Sequence, residues 1–187
     1  FAGLLYGKLY VNGATAAILC AMAFGATAGG EFIREGCRKP FSVRELMYSN
    51  AIHRDEVAKL REVGLTSRDP YPMRYPHALP QVDGKPHPQL EKGAVVFRQQ
   101  CSICHTTNGV NSLPGLSDGW DADMMRQNFS KLQKLKPFMP PFAGTPEELE
   151  ALVQFVRWVQ ADHPTDKWPD SLANPAAKAE TLARIKK

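Results

Sequence analysis

The sequence predicts a mainly α-helical protein: a membrane-spanning helix, a proline-rich linker and a small all-helical domain. Three observations carry this. Leu9 to Gly30 is a 22-residue stretch without a charge, bounded by Lys8 and Glu31. Pro70, Pro72, Pro76, Pro80, Pro86 and Pro88 crowd one segment. Beyond them, apolar residues recur at helical spacing, and a complete helix-start signal stands at Thr145. The expected divisions are 1–31 for the spanning helix, 32–88 for a juxtamembrane helix and linker, 89–163 for the helical domain and 164–187 for a polar tail.

As a helix, the uncharged stretch would be roughly 33 Å long, enough for a bilayer core. Gly13, Ala17, Ala21, Gly25 and Gly29 recur every four residues along it. Small-residue stripes let membrane helices approach closely, where lipid offers no hydrophobic drive for association. The helix is therefore expected to pack against other membrane subunits. Cys20 and Cys37 read as ordinary free thiols, too far apart along a helix to be bridged.

Ser49 to Gly64 reads as a short helix, with Ser49 or Asn50 as cap, Val57 and Leu60 apolar, and Gly64 as stop. The prolines between Thr66 and Pro88 exclude helix and central strand, leaving a semi-rigid extended linker. Gln89 to Gln100 is helical by pattern, and a further helix is expected from Asp121 to Leu135. At Thr145-Pro146-Glu147-Glu148, Thr145 caps, Pro146 takes the first helical position and Glu148 completes a capping box. That helix should run to about Asp162, and a short one is expected over 174–187.

The formal charge of +4 is spread along 187 residues with no long Lys/Arg run, which argues against a nucleic-acid partner. No acid, base or nucleophile has a matching partner, so no bond-making chemistry of the chain's own is expected.

Cys101-Ser102-Ile103-Cys104-His105 is a C-x-x-C-H sequence, the pattern of c-type haem attachment. One helical turn separates the two thiols, which suits the two vinyl groups on one porphyrin edge, and His105 follows as the first axial ligand. No second Cys pair exists to complete a zinc site. One covalent haem c is therefore expected. The second axial ligand should be Met139, held in the proline-stiffened loop Lys136-Pro137-Phe138-Met139-Pro140-Pro141-Phe142. Met124 and Met125 are rivals expected instead to pack in the core, and His77, His87 or His163 could give bis-histidine ligation.

With these residues in view, Gln89 to Ala161 resembles a class I cytochrome c domain. Gly93 and Phe97 match the family's helix-crossing positions, with Phe155 and Trp158 as partners. Pro114-Gly115-Leu116 resembles the loop whose proline carbonyl accepts a hydrogen bond from the ligating imidazole, and Met139 matches the distal ligand. The resemblance implies a compact helical fold and outer-sphere electron transfer. A second resemblance covers residues 13–50: Glu35-Gly36-Cys37-Arg38-Lys39-Pro40-Phe41 is similar to a segment of subunit I of cytochrome bd-type quinol oxidases. Gly36 stands where that family has a haem-ligating Met, so no b-haem ligand is implied here.

The expected function is that of a membrane-anchored monohaem cytochrome moving electrons on the periplasmic side of a bacterial inner membrane, as a subunit of a quinol-linked, bd-oxidase-like complex. A soluble electron-transfer protein is a further expected partner. The alternatives are a self-standing anchored shuttle and a haem-based gas or redox sensor. Arg34, Arg38, Lys39 and Arg44, against Lys8 alone on the other flank, would place the downstream end in the cytoplasm. Haem attachment outside the membrane demands the opposite, and the reading follows the haem.

Overall fold

The computed structural model of the protein describes residues 13–68 and 80–168. The expected helix over 174–187, His77 and the first residues of the uncharged stretch lie outside the described residues. The chain divides into two compact units, 1–39 and 40–187.

The described part of the first unit holds helix α1, Gly13–Arg38. None of its residues is buried, and Ile18, Leu19, Met22, Phe24, Phe32 and Ile33 are all more than half exposed. Among the described residues it is the one helix long and apolar enough to cross a membrane. Its 26 residues make a rod of about 39 Å. Polar residues close its C-terminal end: Arg34 pairs with Glu31 and Glu35, and Arg38 with Glu35.

The second unit opens with a hairpin that the sequence reading missed. Strands β1 (Phe41–Val43) and β2 (Met47–Tyr48) pair antiparallel, with Phe41 stacked on Tyr48 at 4.6 Å. Helix α2 accordingly covers Glu56–Val63 instead of starting after Ser49 or Asn50. Tyr48 is tied back to Ile52 by its backbone N–H, and Ala51 takes a positive φ of 60°, so those residues form a turn. Gly64 stops the helix as expected, at φ 94°. A 3-10 turn, Leu65–Arg68, follows.

Of the proline-rich segment, residues 69–79 lie outside the described residues, and the part from Pro80 on is not simply extended. Strands β3 (Gln81–Val82) and β4 (Lys85–Pro86) form a minimal hairpin around Asp83 and Gly84, both at positive φ. Asp-Gly is a strong two-residue hairpin signal, and it outweighed the proline argument here. Pro86 costs nothing in a two-stranded sheet, where every strand is an edge.

Helix α3 (Pro88–Gln100) starts on a His87 cap with proline at its first position. It crosses α7 (Pro146–Gln160) at Gly93. A Cβ at Gly93 would fall 2.2 Å from the Ala151 carbonyl oxygen and 2.6 Å from the Phe155 Cβ, so only glycine permits this approach. Phe97 meets Phe155 with ring centroids 5.7 Å apart, and Phe155 meets Trp158 at 6.2 Å, which fulfils the expected crossing. Between these helices lie the short α4 (Leu113–Leu116), α5 (Ala122–Ser130) and α6 (Leu132–Leu135). The single helix expected from Asp121 to Leu135 thus breaks at Lys131, whose backbone leaves the helical region. Met125 is fully buried, as expected, but Met124 is exposed.

One core joins the described parts of this unit. Leu90, Val96, Leu152, Val153 and Val156 pack with Met125 and Phe129 from α5, and with Ile52, Leu60 and Leu65 from the segment before the proline run. Each such fully buried side chain contributes about 1.5–3 kcal/mol. Residues 40–68 are therefore part of the folded domain and not a tether to it.

Candidate haem site

Cys101 caps the C-terminus of α3, its N–H bonded to the Phe97 carbonyl. The chain then turns tightly: the N–H groups of Cys104 and His105 both donate to the Cys101 carbonyl, at 3.1 and 2.9 Å. The C-x-x-C-H sequence thus forms one turn beyond the helix, anchored by it. All four described cysteines are free thiols. Cys101 is half-buried against the core and Cys104 is exposed. Burial pushes the Cys101 thiol up to about 12, and the neighbouring Cys104 adds to the rise.

The His105 imidazole is half-buried, and its Nδ1 lies 3.3 Å from the Asn111 carbonyl oxygen. That oxygen also receives the Thr106 N–H, while the Asn111 side-chain amide donates to the Cys104 carbonyl. Asn111 therefore holds both the His105 ring, through Nδ1, and the turn that carries it. The family resemblance gave Pro114 as the imidazole's acceptor; in this structure the Nδ1 contact is with Asn111. The Pro114 carbonyl accepts from Gln160 Nε2 at 3.0 Å and from Ser117 Oγ at 3.3 Å. Gln160 also donates to the Ser117 carbonyl, so the last residue of α7 holds α4 in place.

Met139 sits half-buried in a loop whose first turn is closed by its own N–H on the Lys136 carbonyl. This loop is tied directly to the attachment turn. Gln100, the residue before Cys101, donates to the Pro141 carbonyl at 3.0 Å and accepts from the Ala143 N–H at 3.3 Å. Arg61 from α2 adds a bond to the Phe142 carbonyl at 3.0 Å. Neither Gln100 nor Arg61 carries a sequence signal, because each acts on a loop dozens of positions away.

Two rival histidines have other employment. His87 accepts the Leu90 N–H on Nδ1 as helix cap, and its Nε2 meets the Trp168 carbonyl. His163 packs edge-on against Trp158 at 4.7 Å.

The donor set fits a covalently bound haem. It offers two reduced thiols one turn apart, an adjoining imidazole oriented through Nδ1, and a thioether in a braced loop. Among the described residues no group of three or more His, Cys, Asp or Glu could hold a bare metal ion. Apolar side chains stand unusually open on the same segments: Ile103 is 63% exposed, Leu116 54% and Phe138 50%. A flat apolar group would cover such surface.

The family described as cytochrome C oxidase, cbb3-type, subunit III matches residues 88–156. No curated protein and no solved structure matches the chain. None of these comparisons supports the resemblance of residues 13–50 to cytochrome bd, and Glu35 and Arg38 are accounted for by ion pairs on α1 itself. The matched segment contains the attachment turn, the Met139 loop and the α3–α7 crossing, and residues 88–156 form a cytochrome c domain.

Proposed function

We propose that this chain is a membrane-anchored, monohaem c-type cytochrome that passes electrons on the periplasmic side of a bacterial inner membrane, as a subunit of a respiratory oxidoreductase complex. The observation that carries the reading is the C-x-x-C-H turn at the end of α3, within a segment that matches a cytochrome family. Cys101 and Cys104 would hold the porphyrin by thioether bonds, with His105 and Met139 as axial ligands. When bound, the haem supplies a one-electron couple whose potential follows from axial ligation and burial.

The chain's own residues hold this arrangement still. Asn111 fixes the imidazole, and Gln100 and Arg61 brace the Met139 loop from two sides. The Gly93 crossing locks α3, which ends at Cys101, onto α7. A site that does not reorganise suits rapid outer-sphere transfer. The exposed, apolar α1 supports anchoring, and its small-residue stripe supports packing against other membrane subunits. The matched family's description supports a respiratory oxidase as the setting.

The test is chemical. Denatured protein should retain a haem-linked peroxidase stain on a gel and show the mass of one added porphyrin. Cys101→Ala with Cys104→Ala should lose both. A wild-type chain that releases its haem on denaturation would end the reading.

A further inference from the structure

The loop that carries Met139 is poor in backbone donors, because Pro137, Pro140 and Pro141 have no N–H. The Met139 N–H closes its first turn on the Lys136 carbonyl. Beyond that turn, three backbone groups between Pro141 and Ala143 are each met by a side chain from another element. The Gln100 amide takes two of them, donating to the Pro141 carbonyl at 3.0 Å and accepting the Ala143 N–H at 3.3 Å. Arg61 Nε takes the third, the Phe142 carbonyl, at 3.0 Å. Gln100 is only 4% exposed, so water is poorly placed to replace its amide. The two side chains differ in origin. Gln100 ends α3, directly before Cys101, whereas Arg61 stands on α2, ahead of the segment that matches the cytochrome family. Swinging Met139 away by opening this loop requires that these three bonds break. Removing two hydrogen bonds of ordinary net strength shifts such a local opening equilibrium about tenfold or more.

We propose that Gln100 and Arg61 are positioning residues that keep Met139 at the sixth position and so close that position to outside ligands. The inference rests on Met139 being the sixth ligand. It adds that control of this position comes partly from α2, outside the matched segment, and that the clamp makes the chain an electron carrier and not a gas-binding module. The rate at which an outside ligand enters then follows the fraction of molecules with the loop open.

Carbon monoxide is the probe, added to the reduced, full haem-loaded chain in neutral detergent at neutral pH. Gln100→Met keeps the side chain's length and removes both of its bonds. Arg61→Met removes the third bond from an exposed position, where the core is untouched. Gln154→Met is the comparison: Gln154 is also 4% exposed, but its amide donates to Glu150 within α7. Carbon monoxide uptake should rise about tenfold in Gln100→Met and about threefold in Arg61→Met. Amide hydrogen exchange over residues 137–144 should quicken by similar factors in both. Gln154→Met should lower the melting temperature and leave both readouts at their wild-type values. An equal rise in Gln154→Met would mean general loosening and would overturn the proposal. So would unchanged uptake and exchange in both clamp variants, with the near-infrared band of Met–iron ligation present in oxidised wild type. Wild type without that band would overturn the Met139 assignment, and the proposal with it. Should Gln100→Met fail to fold, Arg61→Met decides by the same two readouts.

Discussion

At Gly93 the space available to one side chain decides how two helices meet. The missing Cβ would lie within 2.6 Å of both the Ala151 carbonyl oxygen and the Phe155 Cβ, so an added methyl cannot be absorbed by rotating a flexible group. Gly93→Ala must push α3 off α7, and a destabilisation at the upper end of the about 1–3 kcal/mol usual for overpacking is expected in urea denaturation. This position was legible from the sequence because its spacing to Phe97 repeats a family pattern. The acceptor of the imidazole was not. The Asn111 carbonyl that meets Nδ1 here stands in a turn that no local pattern announces, and the Pro114 carbonyl takes a donor from Gln160, 46 positions away. On the proposed ligation, Met139→Ala should remove the weak near-infrared absorbance of a Met–iron bond in the oxidised protein, and survival of that band would transfer the sixth position to another residue. In chain made without haem, the two thiols should differ in reactivity. The thiolate is the nucleophile, and Cys101 reaches that form only near about 12, so iodoacetamide at pH 8 should label Cys104 well before Cys101.

At the scale of elements, the start of α7 shows which signals stay local. Thr145, Pro146 and Glu148 form the capping box that four consecutive residues announce: Glu148 N–H donates to Thr145 Oγ1 at 3.2 Å, and the Glu148 carboxylate accepts the Thr145 N–H at 3.0 Å. Yet the same carboxylate, 2% exposed, also accepts from the N–H of Leu65, the N–H of Thr66 and the Thr66 hydroxyl. The sequence reading found the cap but not this second role, because the donors lie more than 80 positions upstream in a stretch read as linker. The two roles separate by mutation. Thr145→Ala should cost about 1 kcal/mol, the usual loss of a cap. Glu148→Ala also strands three donors of the 3-10 segment, each worth about 1–3 kcal/mol where it stays unsatisfied. Its midpoint in urea should therefore fall well below that of Thr145→Ala. A further tie, the buried pair of Arg126 with Glu150 at 2.6 Å, joins α5 to α7, and the Glu150 hydrogen bond raises the Arg126 pKa above its ordinary value.

For the whole molecule, these ties redraw the domain. The family match begins at residue 88, and the sequence alone suggested a boundary at 89. Ile52, Leu60 and Leu65 nevertheless sit in the same core as α3 and α7, Arg61 holds the Phe142 carbonyl, and Glu148 holds Leu65 and Thr66. A chain cut to begin at Gln89 would uncover the apolar surface beneath three buried side chains, at about 1.5–3 kcal/mol each. It would also leave a formerly buried carboxylate without most of its donors. Such a loss rivals the entire stability of a small domain, about 5–15 kcal/mol. Chains beginning at Pro40 and at Gln89 should therefore behave differently when expressed with haem attachment. The longer should melt cooperatively and keep the Met139 band, because Arg61 and Gln100 both still brace that loop. The shorter should melt at least 10 °C lower or fail to fold, by the usual scaling of stability loss to melting temperature. Equal melting of the two would show that residues 40–68 rest on the cytochrome domain without supporting it.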